Sequence, residues 1–248
     1  MIRSPLVLGA AVAAITFTES ARADDDKGEG RHRFGMRGLI VSVDRLLPLI
    51  SYQSVTLTDP AGNESSQSRT SVALANTGPF SVFQSFYNLP RISFDWVVVR
   101  NLTIGSSTWI YADLQASSSI TPNNKPTTSS DSPKITYWGV APRVGYIIPL
   151  GDKIYLWPRA GVEYHHVSQS DVGQGSGLIT QFAFEAEAMV VISPWDNFGF
   201  TVGPTFDAPI TGEQTVTSTP NAAGVTTSMR DDSAMWQVGV SAGVLGHF

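Results

Sequence analysis

Seven charged residues recur at every-second-residue positions in stretches that are otherwise apolar, aromatic or small: Asp95, Asp113, Arg143, Arg159, Glu163, Glu185 and Glu187. Acids and bases spaced in this way can pair with one another, line a path for a small ion, or trade a proton as general acid and base. A charge taken out of water needs a partner, so mutual pairing is the first expectation. A second group is His165, His166 and Ser168, with Glu163 just before them. Serine, histidine and a carboxylate together would make an activated nucleophile. In an extended chain, however, adjacent residues face opposite ways. His166 then shares a face with Ser168, and His165 shares one with Glu163. No carboxylate falls on the serine's face, and a serine without an oriented base is inert. The same alternation argues against the two histidines gripping one metal ion. No catalytic residue, metal ligand or cofactor is expected. The chain has no cysteine, so disulfides and thiolate metal sites are excluded. Phosphate loops, dinucleotide fingerprints and zinc spacings are also absent from the sequence.

The elements that must position these residues read as β-strands. Strict alternation runs through 91–99, 102–115, 135–148, 154–168, 179–192, 198–208 and 235–248. In each, one face is mainly apolar or aromatic, as with Phe182, Phe184, Ala186, Ala188, Val190 and Ile192, although Ser106 and Thr108 interrupt it in 102–115. The opposite face is mixed and holds all seven charges. An eighth strand is expected at 34–46, but its alternation is imperfect. A bulge near its middle would swap the faces, so inward and outward sides stay open there. The last strand has a face without a single polar side chain: Trp236, Val238, Val240, Ala242, Val244, Gly246 and Phe248. An edge of that kind invites unwanted pairing in a soluble domain, whereas a closed barrel would use it to close.

Three connections are short, at 100–101, 149–153 and 193–197. Four are long, at about 47–90, 116–134, 169–178 and 209–232. The longest holds turn residues, D-P-A-G-N, between stretches that would suit an extended hairpin. Residues 1–23 have a positive start, an apolar core too short to span a bilayer, and the small-x-small end Ala21-Arg22-Ala23. This is the form of a signal peptide. Residues 24–33 read as a flexible tail. The formal net charge of −5 gives no reason to expect nucleic acid as a partner. Mean hydropathy is near zero, as expected when apolar content is hidden in alternation. Charges on one face and an apolar opposite face invert the arrangement of a soluble barrel. The expected fold is therefore all-β: an eight-stranded antiparallel, up-and-down transmembrane barrel at 34–248 with long outer loops.

Several stretches resemble the small outer-membrane β-barrel superfamily that includes the OmpA transmembrane domain and OmpW-like proteins. They are A-R-A at 21–23, R-V-G-Y-I-I-P-L-G-D at 143–152, Y-L-W-P-R-A-G-V at 155–162, and the terminal V-G-V-S-A-G-V-L-G-H-F. The resemblance implies residence in the outer membrane of a Gram-negative bacterium and contact with its lipid. It also implies handling by the outer-membrane barrel assembly machinery through the last strand, with Val244, Gly246 and Phe248 as the assembly signal. A weaker resemblance, His-x-Ser near a glutamate, is to outer-membrane lipid A deacylases, from which the chain departs in lacking a glutamate on the serine's face. The expected role is a largely plugged barrel that is structural, or meets an unknown surface ligand through its loops. The alternative is a narrow channel or uptake protein for small or hydrophobic solutes; weaker still is a lipid A-modifying hydrolase.

Overall fold

A computed structural model describes residues 34–35, 38–72, 87, 89–113, 117–120, 128–131, 134–171, 175–218 and 226–248. The expected signal segment, 1–23, and tail, 24–33, lie outside the described residues. The described strands are β1 (Gly38–Thr58), β2 (Glu64–Val72), β3 (Arg91–Val99), β4 (Leu102–Asp113), β5 (Ser117–Ile120), β6 (Thr128–Asp131), β7 (Lys134–Tyr146), β8 (Ile148–Pro149), β9 (Ile154–Asp171), β10 (Gly175–Trp195), β11 (Phe198–Thr217) and β12 (Ser228–His247). Ten of them make one antiparallel sheet in the order β10-β11-β12-β1-β3-β4-β7-β9-β8, with β2 added to β1. β9 also pairs with β10, so the pairings run round into a barrel-like ring. β5 and β6 form a separate hairpin.

The period-2 pattern explains which way each side chain points. On β3, Ile92, Phe94, Trp96 and Val98 are exposed on the outside, while Ser93, Asp95 and Val97 are buried within. The same alternation runs along β7, β10 and β11. The β3–β4 turn is closed by Asn101 at φ 68°, a left-handed conformation that asparagine tolerates and tight hairpins need.

β1 departs from the expected strand in two ways. It runs past 46 to Thr58 and returns as β2 through a turn at 59–63, so the extended hairpin expected within 47–90 is present, with its first arm continuous with β1. Its register against β12 also shifts between Val43 and Leu47 and again between Pro48 and Ile50. Arg45 sits in the first irregularity at φ 52°. The extra residue lets two consecutive side chains, Asp44 and Arg45, both point inward; each is about 1% exposed. This settles the faces of the strand: Ile40, Ser42 and Asp44 inside, Leu39 outside. The other expected loops also carry strand. β9 reaches Asp171 and β10 begins at Gly175; β11 reaches Thr217 and β12 begins at Ser228; β5 and β6 lie within 116–134. Ser- and Thr-rich segments read as loop composition, but their backbones pair as well as any others.

The interior is layered. Toward the short turns lie Phe34, Ile40, Val97, Ile147, Tyr155, Trp157, Val191 and Leu245. Toward the long connections lie Val55, Tyr87, Leu89, Trp109, Ile135, Tyr137, Ala141, Val167, Ile179 and Met235. A layer of ions lies between these two apolar clusters.

Candidate functional site

The ion layer is built from one or two inward positions on each of six strands. Arg45, put inside by the β1 bulge, donates through Nη1 and Nη2 to both oxygens of Asp207, at 2.8 Å each. Its Nε donates to Glu187 at 3.0 Å and its Nη2 to Glu185 at 3.1 Å. Arg91, the first residue of β3, pairs through Nη1 with Glu163 at 3.0 Å and Glu185 at 3.2 Å. Arg143 on β7 grips Asp95 with Nε and Nη2, at 3.0 and 2.5 Å, and its Nη1 lies 2.8 Å from Asp44. Arg159 on β9 bonds Asp44 and Glu187. Ser93 donates its hydroxyl proton to Asp44 at 2.6 Å. Among the described residues, four guanidiniums thus face six carboxylates, all nearly sealed from solvent.

Two tryptophans cap this layer. The Arg91 guanidinium lies 4.2 Å from the centre of the Trp109 ring on the outer side, and that of Arg159 4.5 Å from Trp157 on the inner side. Both distances are within cation–π range. Trp157 is fixed by donating Nε1–H to Thr103 at 3.1 Å. Trp109 packs against Gly139, where any Cβ would strike its ring. From the connection before β3, Tyr87 enters the interior and is fully buried. Its carbonyl accepts from Arg45 at 2.9 Å, and its hydroxyl donates to the Met235 carbonyl at 2.8 Å and accepts from Gln181 at 2.6 Å.

Six of the seven charged residues singled out from the sequence fall in this layer: Asp95, Arg143, Arg159, Glu163, Glu185 and Glu187. For the seventh, Asp113, the backbone ends β4 opposite Ile135, and its side chain lies outside the described residues. Sequence reasoning missed Asp44, Arg45, Arg91, Asp207 and Tyr87. Arg91 and Asp207 share the inward parity of Asp95 and Thr205, so the signal for them was there. Asp44 and Arg45 were hidden by the bulge, and Tyr87 lies in a connection with no periodic pattern. Val244 and Gly246 lie on the outer face of β12, away from the ions. Phe248 beyond them is 69% exposed, with its N–H and C=O paired to Leu39 at 2.9 and 3.0 Å.

The histidines separate as alternation requires. His165 is inside, 3.0 Å from Glu163, between the rings of Tyr87 and Trp109. His166 and Ser168 lie on the other face, with His166 stacked on Trp138. The carboxylate and the serine of the imagined nucleophilic set are thus on opposite sides of the wall. Glu163, Glu185 and Asp207 bring one oxygen each to within 4.8 Å of one another, a spacing a cation could bridge. Arg45 and Arg91 already supply positive charge to all three. Buried ion pairs give back little more than their desolvation cost, and apolar replacements are often as stable. The layer's size is therefore better read as fixing one arrangement of strands than as a source of stability.

No family model and no curated protein matches this chain. Among solved structures, the outer-membrane protein AlkL in lipid bilayers is similar, at 12% identity over 90% of this chain and 93% of that one, with a TM-score of 0.48. Neisserial surface protein A is similar at 13% identity over 85% and 97%, TM-score 0.40. The outer membrane protease OmpT of Escherichia coli is similar at 8% over 85% and 97%, TM-score 0.43. The likeness is spread over several distinct outer-membrane proteins rather than the OmpA and OmpW groups in particular. It brings no activity or partner to this chain.

Proposed function

We propose that this chain is an eight-stranded transmembrane β-barrel of the bacterial outer membrane, with a plugged ionic interior, and that its role is structural or surface-interactive through its outer connections. The observation that carries the reading is the inversion of polarity across the wall. The ring can be traced through β1, β3, β4, β7, β9, β10, β11 and β12, with β2 and β8 as additions to it. From Phe182 to Ile192 every outward side chain of β10 is apolar. At about 3.4 Å per residue and a tilt near 40°, that stretch crosses roughly 25 Å, the height of a barrel's apolar band. The partners on this reading are outer-membrane lipid and, through Val244, Gly246 and Phe248, the barrel assembly machinery. We assign the chain no enzymatic activity.

Eight strands leave an interior just wide enough for side chains. Here ions, two capping tryptophans and Tyr87 occupy it. A planar bilayer holding the refolded protein should therefore stay electrically silent, and Arg143→Ala and Glu185→Ala variants should stay silent too. The excess of carboxylates over guanidiniums favours one second reading, a narrow cation-conducting path. Discrete openings that change with Arg143→Ala or Glu185→Ala would replace the plugged barrel with that channel.

A further inference from the structure

On the outer wall, aromatic rings form a shelf across three strands. Trp138 of β7, Tyr164 of β9 and Phe182 of β10 have ring centroids 5.4 and 4.9 Å apart in sequence. Trp138 and Phe182 are 41% and 49% exposed. Below this shelf the outward positions are apolar down the wall: Val140, Val144, Val162, Phe184, Ala186. Above Tyr164 and Phe182 they turn mostly polar, with Leu178 of β10, opposite Ser168, as an apolar exception. His166 and Thr180 share a rung with Trp138; Thr136 and Ser168 face each other one outward step higher; Lys134 and Ser170 face each other at the next. The His166 imidazole is stacked on Trp138 at 5.2 Å and 30°. Among the described residues, that stacking rather than an ion pair holds it.

The charge on this patch has one sign. Lys134 and His166 are its ionisable groups. β7 contains no carboxylate, and the carboxylates of β9 and β10 whose side chains are described, Glu163, Glu185 and Glu187, all face the interior. The patch sits where apolar wall gives way to polar wall, which on the membrane reading is the level of lipid headgroups. An imidazole N–H and an ammonium flanked by hydroxyls match the acceptor oxygens of a phosphate. The aromatic shelf beneath gives the adjoining acyl chains an apolar floor.

Resting on the membrane reading of this chain, we infer that the β7–β9–β10 outer face is a binding site for the phosphate headgroup of an outer-leaflet lipid, with Lys134 and His166 as the phosphate donors. The test uses full-length mature protein refolded into phosphatidylcholine vesicles with and without phosphatidate, a lipid with an exposed phosphomonoester. Bound phosphatidate is counted by native mass spectrometry after gentle extraction. Wild type should retain phosphatidate over phosphatidylcholine. Removing two charge-assisted donors in His166→Ala/Lys134→Ala should weaken that retention about tenfold or more. Arg69→Ala/Arg230→Ala, which removes exposed cations elsewhere on the outer rim, should leave it unchanged, and His166→Gln should restore most of the donor's effect. Equal retention by wild type and the His166/Lys134 variant, or equal losses in both double variants, overturns the site while leaving the barrel. Failure of the wild type to enter vesicles, seen as no heat-modifiable folded band, overturns the membrane reading and the site with it.

Discussion

Arg45 holds together more of the interior than any other single residue described here. It bonds Asp207, Glu185, Glu187 and the Tyr87 carbonyl. Arg45→Ala would take from Asp207 the arginine it is paired with and remove one of the partners of Glu185 and of Glu187, and breaking a buried pair from one side costs about 3–5 kcal/mol. Urea unfolding of the membrane-inserted protein, followed by tryptophan fluorescence, should show a loss of that size. Arg45→Lys keeps the charge and the left-handed backbone but not the fork of donors, so it should recover only part of the loss. A second prediction lies at the hairpin tip. There the Asn63 side-chain amide, then its backbone N–H, both bonded to Asp59 at 2.7 Å, hold the Asp59 carboxyl below the usual aspartate range. A depressed folded-state pKa favours the turn above the unfolded pKa and is lost as pH falls through the folded one. NMR titration should therefore show the Asn63 amide signals holding through the ordinary aspartate range and moving only at lower pH. Neither residue's role was legible beforehand in full. The D-P-A-G-N turn was visible as turn chemistry, but Arg45 was not visible as an interior residue, because one bulged position reverses every parity argument beyond it.

At the scale of elements, alternation made seven strands readable, because each has one mainly apolar outward face and one mixed inward face. It failed for β2, Glu64–Val72, whose side chains are polar or small on both faces. There the backbone ladder with β1 decides the structure, and side-chain pattern carries no message about it. It also failed for the outer ends of β9 to β12, which continue as strand after their apolar face has ended. β12 carries the third prediction. Phe248 is exposed, so Phe248→Ala should leave the unfolding midpoint of the assembled protein nearly unchanged, as for other surface changes. If the residue is an assembly signal, the same variant should reduce the folded protein recovered from cell outer membranes severalfold, while refolding into plain lipid vesicles is unaffected. A change in stability alone would instead make Phe248 an ordinary packing residue.

For the whole molecule, the decisive property is which side of the wall meets oil. Val144, on the outer face of β7, is 53% exposed and lies beside Ala160 and Ile104 near mid-height. In a bilayer Val144→Arg should cost about 2–4 kcal/mol; on a water-facing barrel the same change would stay within about 0.5 kcal/mol. Equilibrium unfolding from vesicles distinguishes the two. The ion layer has one more consequence, drawn from where its members fall along the chain. β1, β3 and β7 contribute three guanidiniums and two carboxylates; β9, β10 and β11 contribute one guanidinium and four carboxylates. Each half of the chain is thus the other's counterion, and neither can bury its inner face alone. A polypeptide severed in the exposed turn at 151–153 should rebuild the ring from its two pieces when they are mixed, and two copies of the same piece should repel each other.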